Sequence, residues 1–297
     1  DSQLGVGGSK KEKKSDLTAK VPIDKKVRMG KLANGITYYI RSNKKPEGRV
    51  QFRLAVNAGS VMEDEDQRGL AHFTEHMAFN GTEYYPHNEL ISKLQAKGVQ
   101  FGGHVNAWTS FDETVYYVNM PNDDEMLEMG MKILDGWASK LLMDPKEIDA
   151  ERGVIIEEWR GRLGAQDRLQ KQYWPIMLKG SRYADRIPIG TEEVLLNFKR
   201  PTIVRFYEDW YRPDLQAVII VGDFDVDKME AKVKEYFKQY KMDKNIKEFE
   251  VSSATVELAA KALNTEGARI AKTMSFALKE RYILIVLAGD AKISNNR

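Results

Sequence analysis

Apolar and polar positions alternate along "VQFRLAV", with Val50, Phe52, Leu54 and Val56 on one side and Gln51, Arg53 and Ala55 on the other. That two-residue period predicts a strand with one face buried. Just upstream, Asn34-Gly35 in "LANGITYYIRSN" is a turn signal leading into another strand. The period then lengthens. Helical spacing runs from Gly69 to Phe79 and reappears around Leu90 and Leu94 until Gly98 stops it. It also governs "DEMLEMGMKILDGWASKLL" through Met126, Ile133, Leu134, Trp137 and Leu141. "HVNAWTSFDETVYYVNMP" supplies two more strand-like runs, and Asp144-Pro145 opens a further helix with proline at its first position. "AVIIVGDFD" reads as a buried strand ahead of the amphipathic "VDKMEAKVKEYFKQY". This order of elements predicts an α+β fold, a two-layer α/β sandwich whose mainly antiparallel sheet is packed by helices.

The first two dozen residues, with "GVGGSKKEKKSD", are small, polar and lysine-rich, too poor in apolar surface to offset ordering entropy. No aromatic residues interleave the lysines, which fits a solvated linker better than a nucleic-acid arm. Residues 1–25 are therefore expected to form a flexible polar tail and 26–250 the domain that carries the chemistry. Residues 251–297 have helical propensity without a clear start or stop, as a linker or part of a second domain would. Composition narrows the function further. At 297 residues and 42% hydrophobic content the chain can bury a sizeable core. With 46 Lys and Arg against 44 Asp and Glu, a net +2, no global field favours nucleic acid or an anionic membrane as partner. The longest apolar run, Tyr282 to Ala288, is far short of the roughly 20 residues that span a bilayer, so no membrane span is expected. Cysteine is absent, so any metal site must use histidine and carboxylate. The chain begins at Asp1 with no apolar signal segment, so any targeting sequence is expected to have been removed or never to have existed.

Two of the four histidines stand four apart in "LAHFTEHMAFNGT", residues 70–82, with a glutamate directly before the second. On a helix, at about 100° per residue, His72 and His76 lie about 40° apart on one face with Cβ atoms roughly 5–6 Å apart, so both imidazoles can reach one ion. Zinc takes neutral imidazole nitrogens at about 2.0–2.1 Å, and a catalytic site typically keeps three protein ligands and one open position. Glu75 falls about 60° to one side of the pair, so HxxEH mirrors the more familiar HExxH order. It places a carboxylate beside the open position, where it can take a proton from the attacking water. The plainer reading is three ordinary polar residues on a partly exposed helix, and a third ligand would weigh against it.

"DPKEIDAERGVIIEEWRGRLG" offers Glu157 and Glu158 as that ligand. With Glu151 at zero on the helical wheel, Ile148, Val154, Ile155 and Trp159 fall at about 60°, 300°, 40° and 80° and define the buried arc. Glu158, at about 340°, lies inside it and Glu157, at about 240°, faces away. Two inward carboxylates, Glu151 and Glu158, are costly without a cation or donors, and a metal between this helix and the histidine helix answers the cost. Glu158 is the expected third ligand and Glu151 a supporting acid orienting a ligand histidine. The bland alternative pairs these acids with Arg152 or Arg162. His87 and His104 have no partner at ligand spacing and are read as non-ligands.

Together "GLAHFTEHMAFNGT", "FGGHVNAWTSFDETVYY" and "ERGVIIEEWR" resemble the pitrilysin/insulinase-type zinc metallopeptidases with the inverted HxxEH motif, especially bacterial members and the mitochondrial processing peptidase β-like branch. The resemblance covers about Val27 to Tyr240. It implies one zinc per chain on His72, His76 and Glu158, with Glu75 as general base and Glu151 as supporting acid. It also implies that Val105 to Thr109 is an exposed sheet edge to which an extended peptide substrate adds, with Asn106 and Ala107 at the matching positions. Without the resemblance "VNAWT" is merely a strand and Trp108 a core residue. Family members usually enclose substrate between this half and a second, similarly folded one that contributes an arginine and a tyrosine. Nothing after Val251 looks like that half, so a second homologous domain or subunit is the expected partner. The spacing from His76 to Glu158 is a little longer than usual in the family, as an insertion near "FGGHVNAW" or "PNDDEM" would make it. The bacterial likeness implies a periplasmic or otherwise extracytoplasmic location. Two functions are expected in consequence. One is a zinc endopeptidase cutting extended or unfolded peptides; the other is a zinc-binding but catalytically incomplete subunit or fragment that binds peptide and needs a second half.

Overall fold

The computed structural model describes residues 22–238, 271–278 and 281–288. The chain divides into two compact units, residues 1–240 and 241–297. In the first, β1 (Arg28–Lys31), β2 (Thr37–Ser42) and β3 (Arg49–Val56) precede helices α1 (Leu70–Met77) and α2 (Glu89–Ala96). The strands β4 (Val105–Thr109) and β5 (Thr114–Pro121) follow, then α3 (Asp124–Ser139), α4 (Pro145–Gly161), α5 (Ala165–Met177), α6 (Glu192–Asn197) and α7 (Arg200–Trp210). Strand β6 (Gln216–Gly222) and helix α8 (Val226–Phe237) complete it. In the second unit β7 (Ala271–Leu278) and β8 (Arg281–Ala288) pair antiparallel, from Ala271 opposite Ala288 to Leu278 opposite Arg281. Among the described residues no helix is long and apolar enough to cross a membrane.

Six strands form one sheet in the order β1-β2-β6-β3-β5-β4, antiparallel throughout except for the β2–β6 pair. The alternation along β3 has its expected outcome, with Val50, Phe52, Leu54 and Val56 fully buried and Gln51 exposed. Helices α3 and α8 pack on this face, and Gly130 of α3 leaves no room for a side chain: a Cβ there would stand 2.3 Å from the Phe52 ring. The expected two-layer sandwich with a mainly antiparallel sheet is thus the observed fold. Local signals start the helices where expected. Asp123 accepts from Met126 N at 3.0 Å, and Asp144, ahead of Pro145, accepts from Lys146 N at 2.8 Å.

Helix α1 has two turns, too few to be stable by itself. It is wedged between two apolar clusters. Ala71 joins the main core under the sheet, whereas Leu70, Phe73 and Met77 join a second core with Ile148, Ile155 and Ile156 of α4, Leu195 of α6 and Ile203 of α7. Each large side chain so buried contributes about 1.5–3 kcal/mol, so tertiary packing rather than propensity holds this helix.

Two expectations need correction. Val154, placed in the buried arc of α4, is 54% exposed; the inward side is Ile148, Ile155 and Ile156, turned away from Val154 around the helix. Trp108, which without the resemblance reads as a core residue, is 40% exposed because it stands beside Tyr117 on the sheet face turned away from the core that Val105 and Tyr116 enter.

Candidate metal centre

The site forms where α1, α4 and the edge strand β4 meet. Burying both flanks of α1 leaves one stripe, His72, Glu75 and His76, directed at α4 and β4. His72 is 8% exposed and Glu75 is 7% exposed. The two imidazole Nε2 atoms stand 3.2 Å apart, and Oε2 of Glu158 lies 3.6 Å from each. Two donors about 2.0–2.1 Å from one zinc ion at a tetrahedral angle are about 3.3 Å apart, so this triangle fits such an ion.

The hydrogen bonds around the triangle strengthen the fit. His76 Nδ1 meets Oε1 of Glu151 at 2.7 Å. An ionised carboxylate only accepts, so the proton sits on Nδ1 and the Nε2 lone pair faces the other donors. Asn80 Nδ2 donates to the second Glu151 oxygen at 2.6 Å, fixing that carboxylate in turn. Lone pairs converging from His72, His76 and Glu158 repel unless a cation lies among them. Among the described residues these three form the group whose donor atoms all lie within 4.8 Å of one another.

Electrostatics favour the ligand-ready forms of His72 and Glu158 and oppose that of His76. Burial, reinforced by the neighbouring His76, lowers the His72 ring to about 4, leaving it neutral at physiological pH. Burial works against a charged His76, but its bond to Glu151 and that acid's charge outweigh it, so the His76 pKa is raised. Before an ion binds, a proton therefore competes for His76, and metal affinity falls as the pH drops. Burial also raises Glu75, opposed by Thr109, whose hydroxyl donates to Oε2 of Glu75 at 2.5 Å. For Glu158, burial is outweighed by the histidines and by Arg162, and the pKa is lowered.

The bland pairing is thus half realised. Arg162 does hold Oε1 of Glu158, four residues back on α4, while Oε2 faces the histidines. Arg152 instead reaches Asp149 and the carbonyl of Phe198. His87 pairs with Glu147 at 2.8 Å and His104 accepts from Gln100 N, both outside the cluster. Glu157 faces outward to Arg160.

A cleft of about 300 Å³ opens beside the triangle, walled by Asn106 to Thr109 of β4, by Arg162 and by Pro188 and Ile189. His104 O accepts from Asn119 N and Ser110 N donates to Glu113 O, so even-numbered residues between them face β5. Ala107 and Thr109 accordingly turn their backbone groups away from β5, and Asn106 Oδ1 accepts from Ala107 N at 2.9 Å. Nothing in the sequence points to the contacts of Thr109 and Asn80 or to the Pro188-Ile189 wall. Thr109 and Asn80 lie inside quoted motifs, but their partners are 34 and 71 residues away.

Glu151→Ala is expected to weaken zinc binding by about 10–100-fold, the usual cost of losing the partner that orients a ligand histidine. Competition against a chromophoric chelator measures this. An affinity within twofold of wild type would show that Glu151 does not prepare His76.

Two histidines and a later acid, borne on two helices beside an open sheet edge, define a class of protein, the inverted-HxxEH metal centre. Residues 38–178 match the family profile described as "Insulinase (Peptidase family M16)", and residues 197–279 match "Peptidase M16 inactive domain". The chain belongs to peptidase family M16, the insulinase/pitrilysin family. It is 41% identical over 220 residues to the probable zinc protease PqqL of Haemophilus influenzae, covering 74% of this chain and 24% of that one. A zinc protease PQQL-like protein of Arabidopsis thaliana is 42% identical over 196 residues, 66% of this chain and 20% of that one. The crystal structure of the first half of the periplasmic protease PqqL from Escherichia coli superposes with TM-score 0.70 at 37% identity, covering 74% of this chain and 47% of that one. The ferredoxin protease FusC, solved with Arabidopsis ferredoxin, superposes with TM-score 0.68 at 31% identity, covering 72% of this chain and 24% of that one. The chain thus spans about a quarter of the length of the PqqL relatives it matches.

Proposed function

We propose that this chain is the metal-bearing part of a zinc endopeptidase that hydrolyses extended or unfolded peptides. The observation that carries the reading is the convergence of His72 Nε2, His76 Nε2 and Glu158 Oε2 with the buried Glu75 alongside. Zinc held there would polarise the scissile carbonyl and acidify the attacking water. Glu151 keeps His76 in the ligating tautomer. Glu75 takes the proton as the water oxygen bonds to the carbonyl carbon, then delivers it to the amine nitrogen as the C–N bond breaks. Thr109 steadies one oxygen of Glu75 through this transfer. The substrate lies along β4 as an added strand, against Asn106 and Ala107, where backbone bonds favour any extended chain.

A second reading is favoured by the share of the relatives that the chain spans. In it the chain binds zinc and peptide but hydrolyses only when a second homologous domain or subunit closes the cleft. A periplasmic location is inferred from the likeness to Escherichia coli PqqL.

A quenched fluorescent peptide without stable structure tests both. Hydrolysis is expected to stop with 1,10-phenanthroline and return with one equivalent of zinc. A zinc-loaded chain that cuts no peptide alone, yet does so when the second half is added in trans, establishes the second reading. Failure to take up zinc would end both.

A further inference from the structure

We propose that Glu63 is a positioning residue for the metal centre, its buried carboxylate fixing the first turn of α1 and thereby the aim of His72, Glu75 and His76. The inference rests on the zinc-peptidase reading and adds a part to it. Glu63 is fully buried although acidic. Its Oε2 accepts from Gly69 N at 3.0 Å and its Oε1 from Ala71 N at 2.8 Å, so one carboxylate satisfies two main-chain donors where the helix begins. Gly69 itself, at φ 104° in the left-handed region, offers no side-chain cap. Ala71 directly precedes His72. In a helix of two turns, rotation or fraying at that end moves every site residue.

Glu63 is held as firmly as it holds. Its N–H donates to Ser60 O at 3.1 Å, and its carbonyl accepts from Arg186 Nε at 2.8 Å and from Arg182. Arg186, only 6% exposed, also donates to Glu65 at 2.6 Å, and its carbonyl accepts from Ser60 Oγ at 2.5 Å. The same segment then runs into Pro188 and Ile189 of the cleft wall, and at Gly190 a Cβ would stand 2.4 Å from Gly69 Cα. One clamp therefore sets the helix that bears the ligands and the wall that faces them.

Glu63→Gln preserves shape but turns an NH₂ toward a main-chain donor, so at most one of the two bonds survives. It is expected to weaken zinc binding at least tenfold in chelator competition and, in metal-stripped protein, to speed amide hydrogen exchange at residues 70–73. Val233→Ala, in the core under α8, serves as a control for general destabilisation and should leave both readings within twofold of wild type. If Glu63→Gln does not fold, Glu63→Asp, one methylene too short for both bonds, is measured the same way. Zinc affinity within twofold of wild type, or an equal loss in Val233→Ala, overturns the proposal. Should wild type take up no zinc, the proposed function fails, and the exchange measurement alone decides: unchanged rates at residues 70–73 overturn the role of Glu63.

Discussion

Glu75→Gln is expected to slow hydrolysis of an unstructured peptide by about 10²–10⁴-fold, the contribution of a positioned general base, with zinc content unchanged. The substitution is close to isosteric. Glutamine keeps a carbonyl oxygen for the Thr109 hydroxyl and fills the same buried volume, but has no basic oxygen for a proton. A fall in kcat/KM with KM nearly constant is the signature, since the lost interaction belongs to the transition state. Metal analysis of both proteins must accompany the kinetics. Activity within threefold of wild type, at equal zinc occupancy, would remove Glu75 from the mechanism.

His72→Ala is expected to reduce zinc affinity by more than about 100-fold, beyond the cost of losing an outer partner of a ligand. The triangle loses one of its two nitrogens, and the remaining pair, His76 Nε2 and Glu158 Oε2 at 3.6 Å, has no third direction from which to enclose an ion. Thermal unfolding gives a second readout. A ligand present at 1,000 times its Kd stabilises the folded state by about 4.1 kcal/mol, so wild type should melt later with zinc than without. That zinc-induced shift should vanish in His72→Ala and shrink in Glu158→Gln. Unchanged zinc stoichiometry in His72→Ala would mean that the ion sits elsewhere.

Much of the site was legible because helical geometry fixes which residues share a face. The spacing of His72, Glu75 and His76 needed only that α1 be a helix, and one turn of the wheel separated Glu158 from Glu157. The same wheel misplaced Val154, for an instructive reason. Taking Glu151 as zero, the inward residues Ile148, Ile155 and Ile156 fall at about 60°, 40° and 140°, so the true arc is centred farther round and both acids sit on its border. A ligand belongs on that border, next to the core but open to the cleft. Trp108 differs: alternation along β4 sets it opposite Val105 and Ala107, and the strand by itself does not show which of its faces the helices cover. Helices α5 and α6 leave little trace in the sequence, α5 because Pro175 interrupts it and no residue in it is buried, α6 because six residues show too little periodicity. Glu63 carried no signal, because its two bonds depend on how the chain folds back between it and α1.

A sheet whose last strand has no outer neighbour among the described residues carries a hazard of its own, since a bare margin will accept a sister molecule. Here the vulnerable length is small. Gly102 N bonds Val105 O at 2.9 Å and so seals the start of β4, while the Asn106 amide occupies its neighbour's N–H. Self-association by zippering would have to begin past these two stoppers, on the Ala107 carbonyl and the main-chain groups of Thr109, too short a stretch for a lasting dimer held by backbone bonds alone.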